Sequence, residues 1–287
     1  MDSRHARTGW TLLLYFTIGC GATRGSPPVL PPPSAPPIIN PSSVSSWAFN
    51  YAPGVMRYQI SRSAAIDGQT DSGSNREIST NMTRELVTLT PVGDGAIHFT
   101  AVIDTFASTT QGLIGVVQPV ELPVQVSGIF ADSGFTITTD GSNSKCNPVS
   151  SAIVSDLRNL LTRFPTPLSR GLIWKDSVST AGCQAGIPTT SRTTRSYVVS
   201  GESVYEGQPV LVVQRIDTIQ AQGEGAQEQH SVNLNASGTG NAIYYLDTKN
   251  SRLVRLTTGQ EMTLTVTASG KAHRFRQSTR QEFKLTP

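Results

Sequence analysis

The chain is poor in charge, histidine and cysteine, and each shortage removes a class of function. Charged residues make up 15% of 287, and the formal net charge is only +3. That leaves no electrostatic footprint for nucleic acid or a strongly acidic substrate. With three cysteines and four histidines in all, no CxxC pair or His/Cys spacing suggests zinc. Asp94, Asp140, Asp217 and Asp247 stand alone in the sequence, and none opens a DxDxDG calcium loop. No GxSxG elbow, HExxH, P-loop or GxGxxG falls in a suitable context. His98, His230 and His273 have no evident catalytic neighbours. The expectation is a non-enzymatic protein without metal or cofactor, with a hydrolase site assembled only by folding as the remote alternative.

What is present is β-forming. Hydrophobic residues reach 37% beside abundant Thr, Ser, Gly and Val, a mixture that folds instead of remaining disordered. The start of the chain reads as an export signal. Arg4, His5 and Arg7 precede an uncharged apolar run, Trp10–Gly19, of ten residues. Such a run is too short for a bilayer, which takes roughly 20, but suits the core of a signal peptide. It ends in Thr17-Ile18-Gly19-Cys20, which resembles the lipobox of bacterial lipoproteins, with Thr17 where Leu is usual. The resemblance implies a signal peptide over residues 1–19, cleavage before Cys20 and acylation of its thiol. The competing reading is ordinary cleavage after Ala22 and a freely secreted protein. Removing residues 1–19 takes away Arg4, Arg7 and Asp2 and leaves a formal charge of about +2.

Residues 20–50 read as a tether, since Ser26–Pro41 holds eight prolines in sixteen residues. Such a segment is an extended polyproline-like spacer. Once Cys20 is lipidated or removed, Cys146 and Cys183 remain as an even pair. In an exported chain they read as one disulfide, closing a loop of roughly 35 residues worth about 3–4 kcal/mol. Two unpaired thiols are the alternative. Asn81-Met-Thr83 and Asn235-Ala-Ser237 match the glycosylation pattern, which is idle in a bacterial protein.

Residues 51–287 read as a single β-rich domain. Val55–Ile66, Arg84–Thr90, Ile97–Phe106, Val124–Ile129 and Phe135–Thr139 read as strands, with a hairpin at Gly93-Asp94-Gly95. Then the period changes. In Ala152–Arg163 and just beyond, Ile153, Leu157, Leu160, Leu161 and Phe164 recur at helical spacing, Ser150 or Ser151 caps the start and Pro165 ends it. This helix, near 150–164, must pack on a sheet. Eight more strands are expected after it: Leu172–Val178, Thr193–Val199, Val204–Ile219, Ser231–Ala236, Ala242–Leu246, Leu253–Leu256, Met262–Val266 and Phe275–Leu285. Val232, Leu234 and Ala236 alternate with Ser231, Asn233 and Asn235, as in a sheet with one wet face and one covered face.

A lipobox, a proline spacer and a curved antiparallel sheet around one helix together resemble the LolA/LppX-like half-barrel lipoproteins of bacterial envelopes. The resemblance is architectural. It implies a large antiparallel half-barrel meander with one central helix, and an acyl chain or other hydrophobic ligand in the hollow between them. Trp174, Phe130, Phe135 and Phe164 are candidate lining residues, or plain core. Arg274, Arg276, Arg280 and Lys284 share one parity of the last strand, opposite Phe275, Phe283 and Leu285. They form either a basic face for anionic lipid headgroups or an acidic partner, or a solvated face that discourages edge pairing. The expected partners are a membrane reached through the lipid anchor and a hydrophobic ligand or another envelope protein. Nucleic acid is not expected. The competing reading is a structural or surface-interaction protein with a filled interior.

Overall fold

The computed structural model describes residues 46–70, 73–111, 122–131, 134–140, 148–184, 187–227 and 230–287. A short strand β1 (Ser46–Trp47) precedes β2 (Gly54–Thr70), β3 (Gly73–Gly93), β4 (Ala96–Gln111), β5 (Val124–Ala131) and β6 (Gly134–Asp140). Helix α1 (Pro148–Leu160) and the short β7 (Leu168–Ser169) follow. The chain closes with β8 (Ile173–Gln184), β9 (Ile187–Tyr205), β10 (Gln208–Gln227), β11 (His230–Asp247), β12 (Arg252–Ala268) and β13 (Lys271–Thr286).

Eleven strands form one antiparallel sheet in the order β6-β5-β4-β3-β2-β13-β12-β11-β10-β9-β8, curled into a half-barrel. The chain starts in the middle of this sheet and walks outward to β6. It then crosses through α1 to the opposite edge, β8, and returns strand by strand. The last strand comes back beside the first, with Phe283 opposite Ile60. Helix α1 touches β5 and β6 near one edge and β8 at the other, so it fills the gap the sheet leaves open. Among the described residues, three hairpins turn on a two-residue pair with both φ positive: Asp94-Gly95, Glu206-Gly207 and Ser269-Gly270. Two-residue loops of this hand match the right-handed twist of the flanking strands.

The expected fold class stands, and several boundaries move. Glu206-Gly207 splits the expected strand Val204–Ile219 between β9 and β10. In the other direction, two pairs of expected strands fuse. Ser231–Ala236 and Ala242–Leu246 belong to the single strand β11, and Leu253–Leu256 and Met262–Val266 to β12. The glycines between them are not turns. A Cβ on Gly238 would sit 2.5 Å from Met262 Sδ and 2.1 Å from Glu261 O, so glycine is there for close approach. After the helix come six strands of 12–20 residues and the two-residue β7, not eight strands.

The long strands have 16–21 residues, which is about 55–70 Å of wall. Helix α1 has 13 residues, about 20 Å. It therefore covers only part of the trough, at the lower end where β2 begins and β13 ends. Its apolar stripe is Ile153, Leu157, Leu160 and, just past its end, Leu161 and Phe164, all buried. They pack in one core with Tyr58, Ile60, Phe99, Tyr197, Tyr244, Leu256 and Phe283 from the inner face of the sheet. Higher up, beyond the helix, a second cluster of Ile187, Val232, Leu234 and Leu264 is buried by its sheet neighbours, including Met262, Val266 and Phe275.

Candidate functional site

The trough has three levels, each set by what the inward-facing residues of the strands are. At the lower mouth the β1–β7 ribbon, in which Trp47 lies opposite Leu168, brings Phe49 and Tyr51 against the end of α1. Tyr51 donates its hydroxyl to Leu160 O at 2.5 Å, taking up a carbonyl that the helix end leaves without an internal partner. Phe49 meets Tyr51 and Phe164 edge-on, with ring centroids 5.1 and 5.6 Å apart, and Tyr51 meets Phe130 at 6.1 Å. Between this aromatic wall and the β3–β4 hairpin lies a cavity of about 530 Å³, lined also by Ile97, Thr162 and Arg163. The Arg163 guanidinium lies 5.6 Å from the Phe130 ring centroid.

The second level, directly beneath the helix, is filled. Trp174 stacks on Tyr197 at 4.7 Å with the rings nearly parallel, and Phe135 stacks on Phe99 at 4.7 Å. Of the four aromatic residues expected to line a hollow, Phe130 and Phe164 border the mouth cavity, while Trp174 and Phe135 are packed against the core.

The third level is a belt of charge that the sequence reading missed. In register across the inner face lie Arg62, Gln281, Thr258, Ala242, Arg215 and Tyr197, and one row further up Asp217, Arg195 and Asp176. Helix α1 reaches this belt through two side chains. Asp156 accepts from Arg62 Nη2 at 2.7 Å and from Gln281 Nε2 at 3.1 Å. Asn159 Oδ1 accepts from Arg215 Nη2 at 3.1 Å. Arg215, buried, also donates to the Tyr244 hydroxyl and to Asp217. Asp217, which stands alone in the sequence, is thus half of an inward-facing ion pair. Burial works against the charge of Arg215, yet Tyr244, Asp217 and Tyr197 hold its guanidinium more firmly protonated than usual. At the far side Arg195 grips Asp176 through two bonds of 2.6 and 2.7 Å.

Glu85 is the odd member. Its side chain is fully buried, and neither carboxylate oxygen has a hydrogen-bond partner among the described residues. Burial lifts its carboxyl well above the usual carboxylate range, Asp156 adds to the rise and Arg62 offsets part of it. Asp156 is raised by the same burial, with Arg62 and Gln281 pulling the other way. Two carboxyls and one guanidinium so placed favour keeping a proton on Glu85. The missed signal was parity: Arg215 and Asp217 share the dry face of β10 with Val213 and Ile219, where a purely structural sheet would place apolar residues.

Cys20 and Cys146 lie outside the described residues, as do residues 1–45 that hold the expected signal peptide and most of the tether. The backbone of Cys183 pairs opposite Pro188 in β8, and the bridge expected for it falls outside what is described. The four basic residues of β13 do share the outer face, but they do not act as one set. Lys284 pairs with Glu206 at 2.6 Å, whereas Arg274 and Arg276 stand exposed at the other end of the strand. The side chains of His98 and His273 make no hydrogen bond or ion pair among the described residues. No group of three metal-ligating side chains forms among the described residues. No described helix is long and apolar enough to cross a membrane.

No family model and no curated protein matches the chain. Among solved structures, it is similar to the high-pH structure of Pseudomonas putida OprB, at 8% identity over 81% of this chain and 94% of that one, with a TM-score of 0.25. The translocator domain of the autotransporter NalP from Neisseria meningitidis gives 10% identity over 82% and 89%, with a TM-score of 0.23. A structure described by the asymmetric conductivity of engineered proteins gives 6% over 81% and 100%, with a TM-score of 0.22. Superposition this loose carries no argument about function. The sheet turns two apolar clusters inward, carries a third of Val210, Val212, Ile243 and Tyr245 on the opposite parity, and sets Arg274, Arg276, Arg280 and Lys284 on its outer face.

Proposed function

We propose that the chain is an exported, non-enzymatic bacterial envelope lipoprotein, tethered through Cys20, whose half-barrel takes up the apolar part of a ligand at its lower mouth. The observation that carries this reading is the cavity of about 530 Å³ walled by Phe49, Tyr51, Ile97, Phe130 and Phe164. Its size falls within the range of about 300–1,000 Å³ usual for small-molecule sites, and an apolar wall with a few polar groups at the rim is their usual chemistry. The half-barrel resemblance and the lipobox support the envelope setting. The ligand space differs from the one the resemblance implies: beneath the helix the interior is packed, so the mouth is the site. That same packing favours the second reading, a structural or interaction module with no ligand.

The two are separated by titrating the protein with oleate against a bound naphthalene-sulfonate dye, alongside Ile97→Trp, which fills the cavity. Saturable displacement by oleate, weakened about tenfold or more in I97W, is expected. Absence of displacement, or displacement untouched by I97W, would favour the ligand-free module.

A further inference from the structure

On the outer face of the sheet, at the upper end opposite the mouth, five neighbouring strands present two polar rows in strict register. The first row is Arg192, Gln220, Ser237, Thr263 and Arg276 across β9 to β13. The second, two residues along each strand, is Thr190, Gln222, Asn235, Thr265 and Arg274. This face holds an open cleft of about 530 Å³, which nine of these ten residues line. Its floor is neutral and hydrogen-bonding. Gln220, Gln222, Asn235 and Ser237 are exposed, with Thr263 and Thr265 half-buried beside them. Amides and hydroxyls offer donors and acceptors side by side. The ends are cationic, with Arg192 on one side and Arg274 on the other, flanked by Arg276 just outside the lining, about 19 Å apart across four strand spacings. None of the three has an ion-pair partner among the described residues, and no acidic side chain lines the cleft.

We infer that this cleft binds a linear acidic glycan, with the amide and hydroxyl rows meeting sugar hydroxyls and the arginines meeting carboxylate groups. Charge complementarity and floor chemistry together select this occupant. Arginine presents a planar fork suited to carboxylates, and a floor with matched donors and acceptors suits a polyhydroxylated chain. A single-stranded nucleic acid would call for aromatic stacking platforms, and the cleft lining has none. A membrane surface would meet a flat or convex basic patch, not a neutral floor set between charged rims. The cleft lies on the face of the sheet opposite the trough, so this inference stands independently of the ligand proposed for the mouth.

The test is calorimetric titration of the full-length chain with polygalacturonate, neutral dextran, poly-glutamate and single-stranded DNA at matched ionic strength. Two variants accompany it: the triple Arg192→Gln/Arg274→Gln/Arg276→Gln, and the charge-preserving Gln222→Ala/Asn235→Ala. All five positions are exposed, so unfolding curves should coincide with those of the parent. Polygalacturonate is expected to bind at least tenfold more tightly than poly-glutamate or DNA, with no heat from dextran. Each variant is expected to weaken polygalacturonate about tenfold or more. No binding of polygalacturonate, or equal binding of poly-glutamate or DNA, overturns the proposal. Full affinity in Q222A/N235A would reduce the cleft to a charge patch and overturn it as well.

Discussion

Replacing Glu85 with glutamine should change how stability depends on pH, and the size of the change follows from its surroundings. In the folded chain the carboxyl is fully buried, has no hydrogen-bond partner among the described residues and sits beside Asp156 and Arg62. Its folded-state pKa is raised well above the ordinary value, while the unfolded chain releases that proton near pH 4.3. For an acid with a raised folded-state pKa, the folded chain holds the extra proton. The contribution to stability is therefore full below the unfolded value and is lost as pH climbs toward the folded one. The rate of loss is about 1.4 kcal/mol per pH unit for one proton. As pH rises above the unfolded value the parent should lose stability through this group, and Glu85→Gln should not.

The amide brings a fixed cost of its own, about 1–3 kcal/mol for buried hydrogen-bonding groups left unmade. The quantity to measure is therefore the difference between the two proteins at each pH, not either value alone. Urea unfolding of parent and variant at half-unit steps from pH 4.5 to 8 supplies it. The variant should gain on the parent as pH rises, by up to about 1.4 kcal/mol per pH unit, whatever the offset at the acidic end. Because Asp156 is buried beside Glu85 and titrates with it, the midpoint of the gain belongs to the pair. A difference that stays constant to within about 0.5 kcal/mol, the scatter expected of unconnected sites, would refute the reasoning and mean that Glu85 is ionised in both states.

Gly128→Ala should lower stability by about 1–3 kcal/mol through overpacking, because a Cβ there would lie 2.1 Å from Thr136 O and 2.5 Å from Phe99 Cζ. Gly182→Ala, whose Cβ would meet nothing nearer than Thr189 Oγ1 at 3.6 Å, serves as the control and should leave the thermal midpoint nearly unchanged. The intact mass of the chain from bacterial membranes should begin at Cys20 with added acyl mass and rise by two hydrogens on reduction. A mature chain beginning at Thr23 without acyl chains would sink the lipoprotein reading.

What the sequence made legible and what it hid divide along one physical line: whether a residue's meaning is set by its own strand or by the strand beside it. The helix was readable because Ile153, Leu157, Leu160 and Leu161 repeat within a single element, and the Asp94-Gly95 hairpin because its φ preferences are local. Gly238, Gly240 and Gly259 misled because a glycine kept for turning and a glycine kept for close approach look alike from within one strand. Gly259 is explained only by Asn241, whose Oδ1 would lie 2.6 Å from an added Cβ, and these two residues meet only once the register is set. The charge belt was hidden for the same reason. Arg215 and Asp217 interrupt the dry face of β10, a visible irregularity, but their partners Tyr244 and Asn159 come from β11 and from the helix. Arg62 is 94 residues from Asp156. A buried ion network has to be nearly complete to be tolerated, since an unpaired member costs several kcal/mol. Its members therefore bind the two halves of the chain to one register between helix and sheet, a role a purely apolar core would leave to shape alone. The outer cleft follows the same rule in polar form, with ten residues from five strands aligning only after folding.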